Sequence, residues 1–364
     1  MIQSVTRRAM LALLPAGVLA ASKVPVQQRK KSKPLPAVGE FVRFTDPTTE
    51  NPVVRLTRPA TTNLLPSSTN HFVSSRERFL VFSSDRTGRF APFRADLRTG
   101  VLEPLGQTAD LRPETLRLDA HERAVYLIDG SALKELTLSS RRMRTLAEGV
   151  TAFSPGVSPA EFVVVKGGNL QTLNEGAKVL AENVGKGICL SRPGGKGCCF
   201  TRELAANHRE FWYVPFAGPE PVLLAKGDVS NPIWNPDGRS LLFLRNVPKP
   251  RVVLSEIHEV VPEGGGEQCV SPTSQFAAFA PNEDGSVFVG ASRSKAQPTI
   301  ILLLRSARRE MTLCEHRASR PSAVSPVFSP DSRRVYYQSD HQGKWAIYSV
   351  NVELLVEPTV PNAG

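Results

Sequence analysis

The chain has 364 residues, 41% of them hydrophobic, and its 45 Lys and Arg against 34 Asp and Glu give a net charge of +11. Its 30 Pro and 26 Gly interrupt the apolar runs too often for a helical bundle, and 5 Cys over this length do not make a disulfide-stapled small domain. The positive balance leaves a uronic-acid glycan, an anionic envelope component or nucleic acid as long-range partners.

Residues 1–21 read as an export signal. Thr6-Arg7-Arg8-Ala9-Met10-Leu11 carries paired arginines, and the stretch from Ala9 to Ala21 is nearly continuous apolar sequence ending in small residues. A helix of that length reaches about 20 Å, short of the roughly 30 Å hydrocarbon layer, so cleavage is expected rather than anchoring. The arginine pair favours the twin-arginine route. No other stretch is apolar for long enough to span a bilayer, so the mature chain is expected in the periplasm or outside the cell. Residues 22–39, with Lys23, Arg29, Lys30, Lys31 and Lys33 among Pro25, Pro34 and Pro36, have the composition of a solvated linker.

From residue 40 to 356 the sequence breaks into short apolar runs bounded by Gly, Pro, Asn, Asp and Ser, which is the pattern of strands. Phe41–Phe44 and Val53–Leu56 come first, followed by Phe79–Phe82, Pro92–Leu97 and a hairpin at Arg98-Thr99-Gly100. Strands are predicted next at Thr115–Leu118, Ala124–Ile128, Leu133–Leu138 and Arg144–Leu146, then a short set over residues 151–180. A further set comprises Ile188–Ser191, Cys199–Arg202, Phe211–Val214 and Pro221–Leu224, and three more sets begin near Pro232, Phe276 and Ser325.

The last three sets carry one phrase in altered spelling. Asn235-Pro236-Asp237-Gly238, Asn282-Glu283-Asp284-Gly285 and Ser329-Pro330-Asp331-Ser332 each precede an apolar run, and their aspartates are spaced 47 residues apart. A polar turn and a strand repeating at that period is the mark of a β-propeller, since one four-stranded blade cannot bury both faces alone. The predicted fold is all-β, a seven-bladed propeller of four-stranded antiparallel blades closed by an N-terminal strand added to the last blade, with residues 357–364 as a tail.

Metal-ligand spacing is missing, because neither Cys-x-x-Cys nor His-x-x-x-His occurs, and His71, His121, His208, His258, His316 and His341 fall at unrelated repeat positions. The cysteines Cys189, Cys198, Cys199, Cys269 and Cys314 read mostly as small buried side chains. Basic residues are scattered, with small clusters at Arg141-Arg142-Arg144 and Arg305-Arg308-Arg309, and no nucleic-acid-binding module is present, so nucleic acid is not expected as a partner.

Val54-Arg55-Leu56-Thr57, Phe79–Phe82, Asp96-Leu97-Arg98-Thr99-Gly100, Asn231-Pro232-Ile233-Trp234-Asn235-Pro236, Val287-Phe288-Val289-Gly290, Val327-Phe328-Ser329-Pro330-Asp331 and Ser339-Asp340-His341-Gln342-Gly343-Lys344 together resemble the oligogalacturonate lyase family over residues 40–352. Single blades also resemble the Pro-Asp repeats of TolB-type propellers. The resemblance implies seven blades and β-elimination of galacturonate oligomers with a divalent metal, typically manganese, near the axis. Where the family has a His-Pro-His phrase this chain reads Ala323-Val324-Ser325-Pro326, a further family ligand reads Gln275, and the phrase His-Pro-Ile-Tyr-Arg-Pro reads Asn231-Pro232-Ile233-Trp234-Asn235-Pro236. The expected metal ligands are therefore replaced, and Asn231 cannot serve as a base.

Two functions follow. In the first, an exported, monomeric and non-catalytic propeller without cofactor binds an acidic oligosaccharide or an envelope protein through its funnel, using Asn70, His71, Asn231, Trp234, Asn235, Gln275 and Ser325. In the second, the chain is a polysaccharide lyase cleaving oligogalacturonides by β-elimination, with manganese as cofactor.

Overall fold

Three aspartates perform one local task. In the computed structural model, described for residues 39–352 apart from 157–160, 175, 219, 250–251 and 274, Asp237 Oδ1 accepts the Arg239 N–H at 2.8 Å, Asp284 Oδ1 the Ser286 N–H at 2.9 Å and Asp331 Oδ1 the Arg333 N–H at 3.1 Å. Each bond fixes a tight reversal between the innermost strand of a blade and the next strand. The export signal, the linker up to residue 38 and the tail lie outside the described residues.

Chain reversal at such turns builds seven antiparallel sheets. Strands β1 (Val42–Thr45) and β2 (Pro52–Arg55) come first and belong to the last blade. The first blade holds β3 (Asn63–Leu64), β4 (Phe79–Ser84), β5 (Ala91–Asp96) and β6 (Leu102–Pro104), and the second β7 (Arg117–Leu118), β8 (Ala124–Asp129), β9 (Ala132–Thr137) and β10 (Met143–Ala147). The third contains β11 (Val150–Ser154), β12 (Val163–Lys166), β13 (Asn169–Thr172) and β14 (Val179–Ala181); the fourth contains β15 (Cys189–Ser191), β16 (Gly197–Ala205), β17 (His208–Pro215) and β18 (Val222–Gly227). The fifth is β19 (Val229–Trp234), β20 (Leu241–Lys249), β21 (Val252–Val260) and β22 (Glu267–Pro272); the sixth is β23 (Phe276–Pro281), β24 (Val287–Ser292), β25 (Thr299–Leu304) and β26 (Arg309–Glu315). The seventh starts with β27 (Val327–Phe328), β28 (Arg334–Ser339) and β29 (Ala346–Asn351).

The predicted seven-bladed architecture is found, with one difference at the closure. β2 pairs with β29 in the register Val53↔Val350 and Arg55↔Tyr348, and β1 then pairs outside β2, so the last blade has five strands and two of them are N-terminal. Phe44 on β1 packs edge-on against Tyr348 at 6.3 Å, which gives the extra strand an apolar contact as well as its ladder bonds. The predicted strand at 115–118 is shorter than expected, because Pro113 starts a 3-10 turn over Pro113–Thr115.

Middle strands are covered on both faces by neighbouring blades and so read as continuous apolar runs instead of alternating ones. All six residues of β24 are buried, and β28 is buried from Val335 onward. Phe211 of the fourth blade meets Phe243 of the fifth edge-on at 5.6 Å, one of the contacts that join blades. Cys189, Cys198, Cys199 and Cys314 are free and buried, as small apolar side chains would be, while Cys269 is free and exposed. Among the described residues no helix is long and apolar enough to cross a membrane.

Candidate functional site

On the innermost strand of the second blade, Leu116 and Leu118 are buried in the core. Strand alternation turns the intervening Arg117 the opposite way, toward the axis. There it lines a cavity of about 350 Å³ to which every blade contributes: Arg117, Ser154, Ser191, Trp234, Pro281 and Phe328 come from the inner strands of the second to seventh blades in order, and His71 from the segment that joins β3 to β4 in the first. A second cavity of about 630 Å³ shares Ser68 and Thr69 with the first and is lined by Lys186, Arg209, Ser230, Asn231 and Ser325 among others.

The electrostatics of the channel centre on Arg117. Its Nη1 reaches the Ser154 hydroxyl at 3.4 Å, and among the described residues no carboxylate pairs with it. Burial pushes the guanidinium down to about 10, so it stays charged at neutral pH without a counter-ion. His71 lines the same cavity. Burial is the largest cause holding its imidazole below the ordinary 6.5; Glu122 opposes the shift and Arg117 reinforces it. At pH 7 His71 is therefore a neutral imidazole beside a cation. Ser154 ties the neighbouring blade in, taking the Ser191 N–H at 2.9 Å on its hydroxyl and the Ser191 hydroxyl at 3.2 Å on its carbonyl.

The residues predicted from sequence divide into three groups. Asn70, His71 and Trp234 line the smaller cavity, and Asn231 and Ser325 the larger. Gln275 and Asn235 line neither. The Asn235 side chain is spent on a turn, with Nδ2 donating to Asp237 at 3.0 Å and Oδ1 pressed so close to Gly285 that a Cβ there would stand 2.3 Å away. Even the cavity residues are partly committed. Asn70 Nδ2 donates to the carbonyls of Glu114 at 3.0 Å and Leu116 at 3.1 Å, Asn231 Nδ2 to Ala277 O at 3.2 Å, and Trp234 Nε1 to Leu190 O at 2.9 Å, each bond tying one blade to the next. Asn231, Gln275 and Ser325 share one unusual feature, a left-handed backbone with φ of 53°, 62° and 50°; Asn231 and Ser325 each stand six residues before the Asp of their blade's turn, whereas Gln275 stands nine before Asp284.

Sequence reasoning missed Arg117 and the cations of the wider cavity. Its signal was present as a single arginine between two leucines at the predicted inner strand of a blade, where a charged side chain has only the channel to face.

The expectation that the metal ligands have been replaced is corrected by a second cluster. Glu256 and His258 on β21 and Cys269 on β22 bring donor atoms within 4.8 Å of one another, a geometry that can hold a metal ion. The chain thus retains a candidate metal site, although on the outer strands of the fifth blade and among the lining residues of neither cavity. A donor set of imidazole, thiol and carboxylate does not fit manganese, which favours oxygen ligands. The cluster escaped notice because two of its members are separated from the third by a hairpin, and no short motif records that.

No protein-family model matches the sequence, and no curated protein matches it. Solved structures do resemble it. An oligogalacturonate lyase in complex with manganese aligns over 86% of this chain and 98% of its own, at 18% identity and a TM-score of 0.74. The oligogalacturonate lyase of Vibrio parahaemolyticus aligns over 86% of this chain and 97% of its own, also at 18% identity and a TM-score of 0.74. A puromycin-hydrolyzing peptidase of Mycobacterium tuberculosis covers 78% of this chain with 49% of its own length, at 13% identity and a TM-score of 0.58. At such identities the likeness establishes a fold shared with oligogalacturonate lyases.

Proposed function

We propose that this propeller works outside the cytoplasm as a monomer, binds a short acidic oligosaccharide in its axial channel, and cleaves it there by β-elimination. The observation that carries the proposal is Arg117, a cation in the channel with no carboxylate partner among the described residues. A uronate carboxylate supplies what the guanidinium lacks, in bidentate geometry, while Thr69 and the side-chain carbonyl oxygen of Asn70 suit ring hydroxyls. Lys186 in the wider cavity, where Arg209 is already paired with Glu203 at 2.9 Å, extends the preference for acidic sugars to a neighbouring residue of the oligomer.

The same groups supply the chemistry. Elimination needs a base for the proton alpha to the carboxylate and a cation for the charge that develops on it. His71, neutral at pH 7, takes the proton as the C5–H bond breaks. The electron pair forms the C4=C5 double bond while the C4–O bond breaks, and the departing alkoxide takes a proton from water. Arg117 faces the carboxylate that carries the transient charge. No step passes through Glu256, His258 or Cys269.

Trigalacturonate titrated calorimetrically and incubated with the protein tests both halves. Binding is expected to weaken at least tenfold in Arg117→Gln, and the absorbance of a 4,5-unsaturated uronate is expected with the native chain and not with His71→Gln. Binding without that absorbance sinks the elimination, and absence of binding sinks the whole reading.

A further inference from the structure

The cluster on the fifth blade has an internal order that an ion-pair network alone does not require. Glu256 and His258 are two residues apart on β21 and so share a face. The ladder with β22 pairs Ile257 with Ser271 and then slips, so that His258 faces Cys269 and not Val270. This bulge is what swings the thiol onto the face that already carries the carboxylate and the imidazole.

The imidazole is oriented from behind. His258 Nε2 stands 3.0 Å from Glu256 Oε2. Its Nδ1 stands 2.7 Å from Glu267 Oε1 but off the line that a hydrogen bond needs, and it is buried without any other partner. Glu267 is itself held by the Arg245 guanidinium, whose Nη2 reaches it at 2.5 Å. A carboxylate behind one ring nitrogen while the other faces further donors is the usual support of a metal-bound histidine.

We propose that Glu256, His258 and Cys269 bind a zinc ion, with Glu267 as the residue that orients His258. Imidazole, thiolate and carboxylate are the donors zinc accepts, at about 2.0–2.3 Å each, and donor atoms within 4.8 Å of one another need only side-chain adjustment to reach the ~3.3–3.8 Å edges of a tetrahedron of that size. Exposure of Cys269 leaves the fourth position to water. The ion clips the outermost strand of the blade to the strand beside it, adding to their ladder bonds and to the Arg245–Glu267 ion pair.

The full chain is dialysed against zinc chloride and then against buffer, and bound metal is counted; cobalt substitution gives a second readout. One equivalent of zinc is expected, with a cobalt spectrum that is tetrahedral and carries a thiolate charge-transfer band. Cys269→Ser removes that band and weakens zinc at least tenfold, and Glu267→Gln weakens it ~10–100-fold without losing the band. Cys269 is exposed, so the serine variant is expected to keep the metal-free unfolding transition of the native chain. Retention of no zinc, equal retention by Cys269→Ser, or preference for manganese over zinc overturns the proposal.

Discussion

Replacing Arg117 by methionine should make the protein more stable and less able to bind. The side chains have similar reach, and methionine adapts to irregular space, so little packing is lost. What is removed is a half-buried charge with no carboxylate partner among the described residues, held at about 10 by the water it has lost. That depression corresponds to roughly 3 kcal/mol, and water in the open channel screens it to ~1–2 kcal/mol. Spread over a chain of this size, such a gain raises Tm by roughly 1.5–3 °C. Scanning calorimetry of both proteins measures it, with and without trigalacturonate; the oligomer should raise the Tm of the native protein and leave that of Arg117→Met in place. If Arg117→Met unfolds at a lower temperature, the guanidinium has a structural partner, and the reasoning that reserves it for a ligand fails.

His316 is fully buried, with Nε2–H donating to Ser292 O at 3.0 Å and Nδ1 accepting the Ala318 N–H at 3.0 Å, so a second ring proton would meet a donor. Burial holds its folded value below 6.5, which means that its contribution is complete above 6.5 and is lost as pH falls; urea unfolding between pH 7.5 and 5 should show a slope of up to ~1.4 kcal/mol per pH unit that His316→Gln reduces, and a flat profile would refute this. Glu77 has the opposite sign, since burial and the neighbouring Asp331 raise its value above 4.5 and its Oε1 is buried without a partner. Its contribution is complete below 4.5 and lost as pH rises through the folded value, so Glu77→Gln should stabilise by up to about 1 kcal/mol at pH 7.5 and by nothing at pH 4. Glycine scanning of the three left-handed positions should give a rank order in denaturant midpoint, Gln275→Gly most stabilising at ~1 kcal/mol, Ser325→Gly less and Asn231→Gly near zero, because asparagine tolerates that region best; the reverse order would show that side-chain bonds, not backbone strain, decide.

The blades were legible because the physics that forms them is local. Asp237, Asp284 and Asp331 bond to the backbone two residues on, so their spacing is written directly into the sequence, and the strands that follow them begin where the apolar runs begin. Closure was only half legible. The N-terminal segment with its two apolar runs predicted one strand completing the last blade, but that Val53–Leu56 would supply it and Phe41–Phe44 pair outside it depended on partners such as Tyr348, some 300 positions away. The site was harder still. Asn235 and Asn231 belong to one phrase and look alike in sequence, yet one lies in a turn against Gly285 and the other on the cavity wall, because β19 ends at Trp234 and Asn235 already belongs to the reversal that follows it. The cluster at Glu256, His258 and Cys269 depends on a slipped register at Ile257, and a slip leaves no mark in composition or spacing.

The amides that looked most suited to a sugar are the groups least able to bind one. Asn70, Asn231 and Trp234 spend their N–H groups on carbonyls of adjacent blades, at distances of 2.9–3.2 Å, and removing those bonds for a ligand would loosen the joints that hold the ring. Ser154 is similarly shared with Ser191. Once the groups occupied in holding blades together are set aside, the smaller cavity retains acceptor oxygens, a neutral imidazole and a cation, Arg117, with no carboxylate partner among the described residues. Acceptors and an imidazole alone would take a neutral sugar about as well as an acidic one. The cation breaks that symmetry, because a neutral ligand leaves Arg117 half-buried and without a carboxylate whereas an acidic one relieves it, and the relief is the same quantity that Arg117→Met should return as stability.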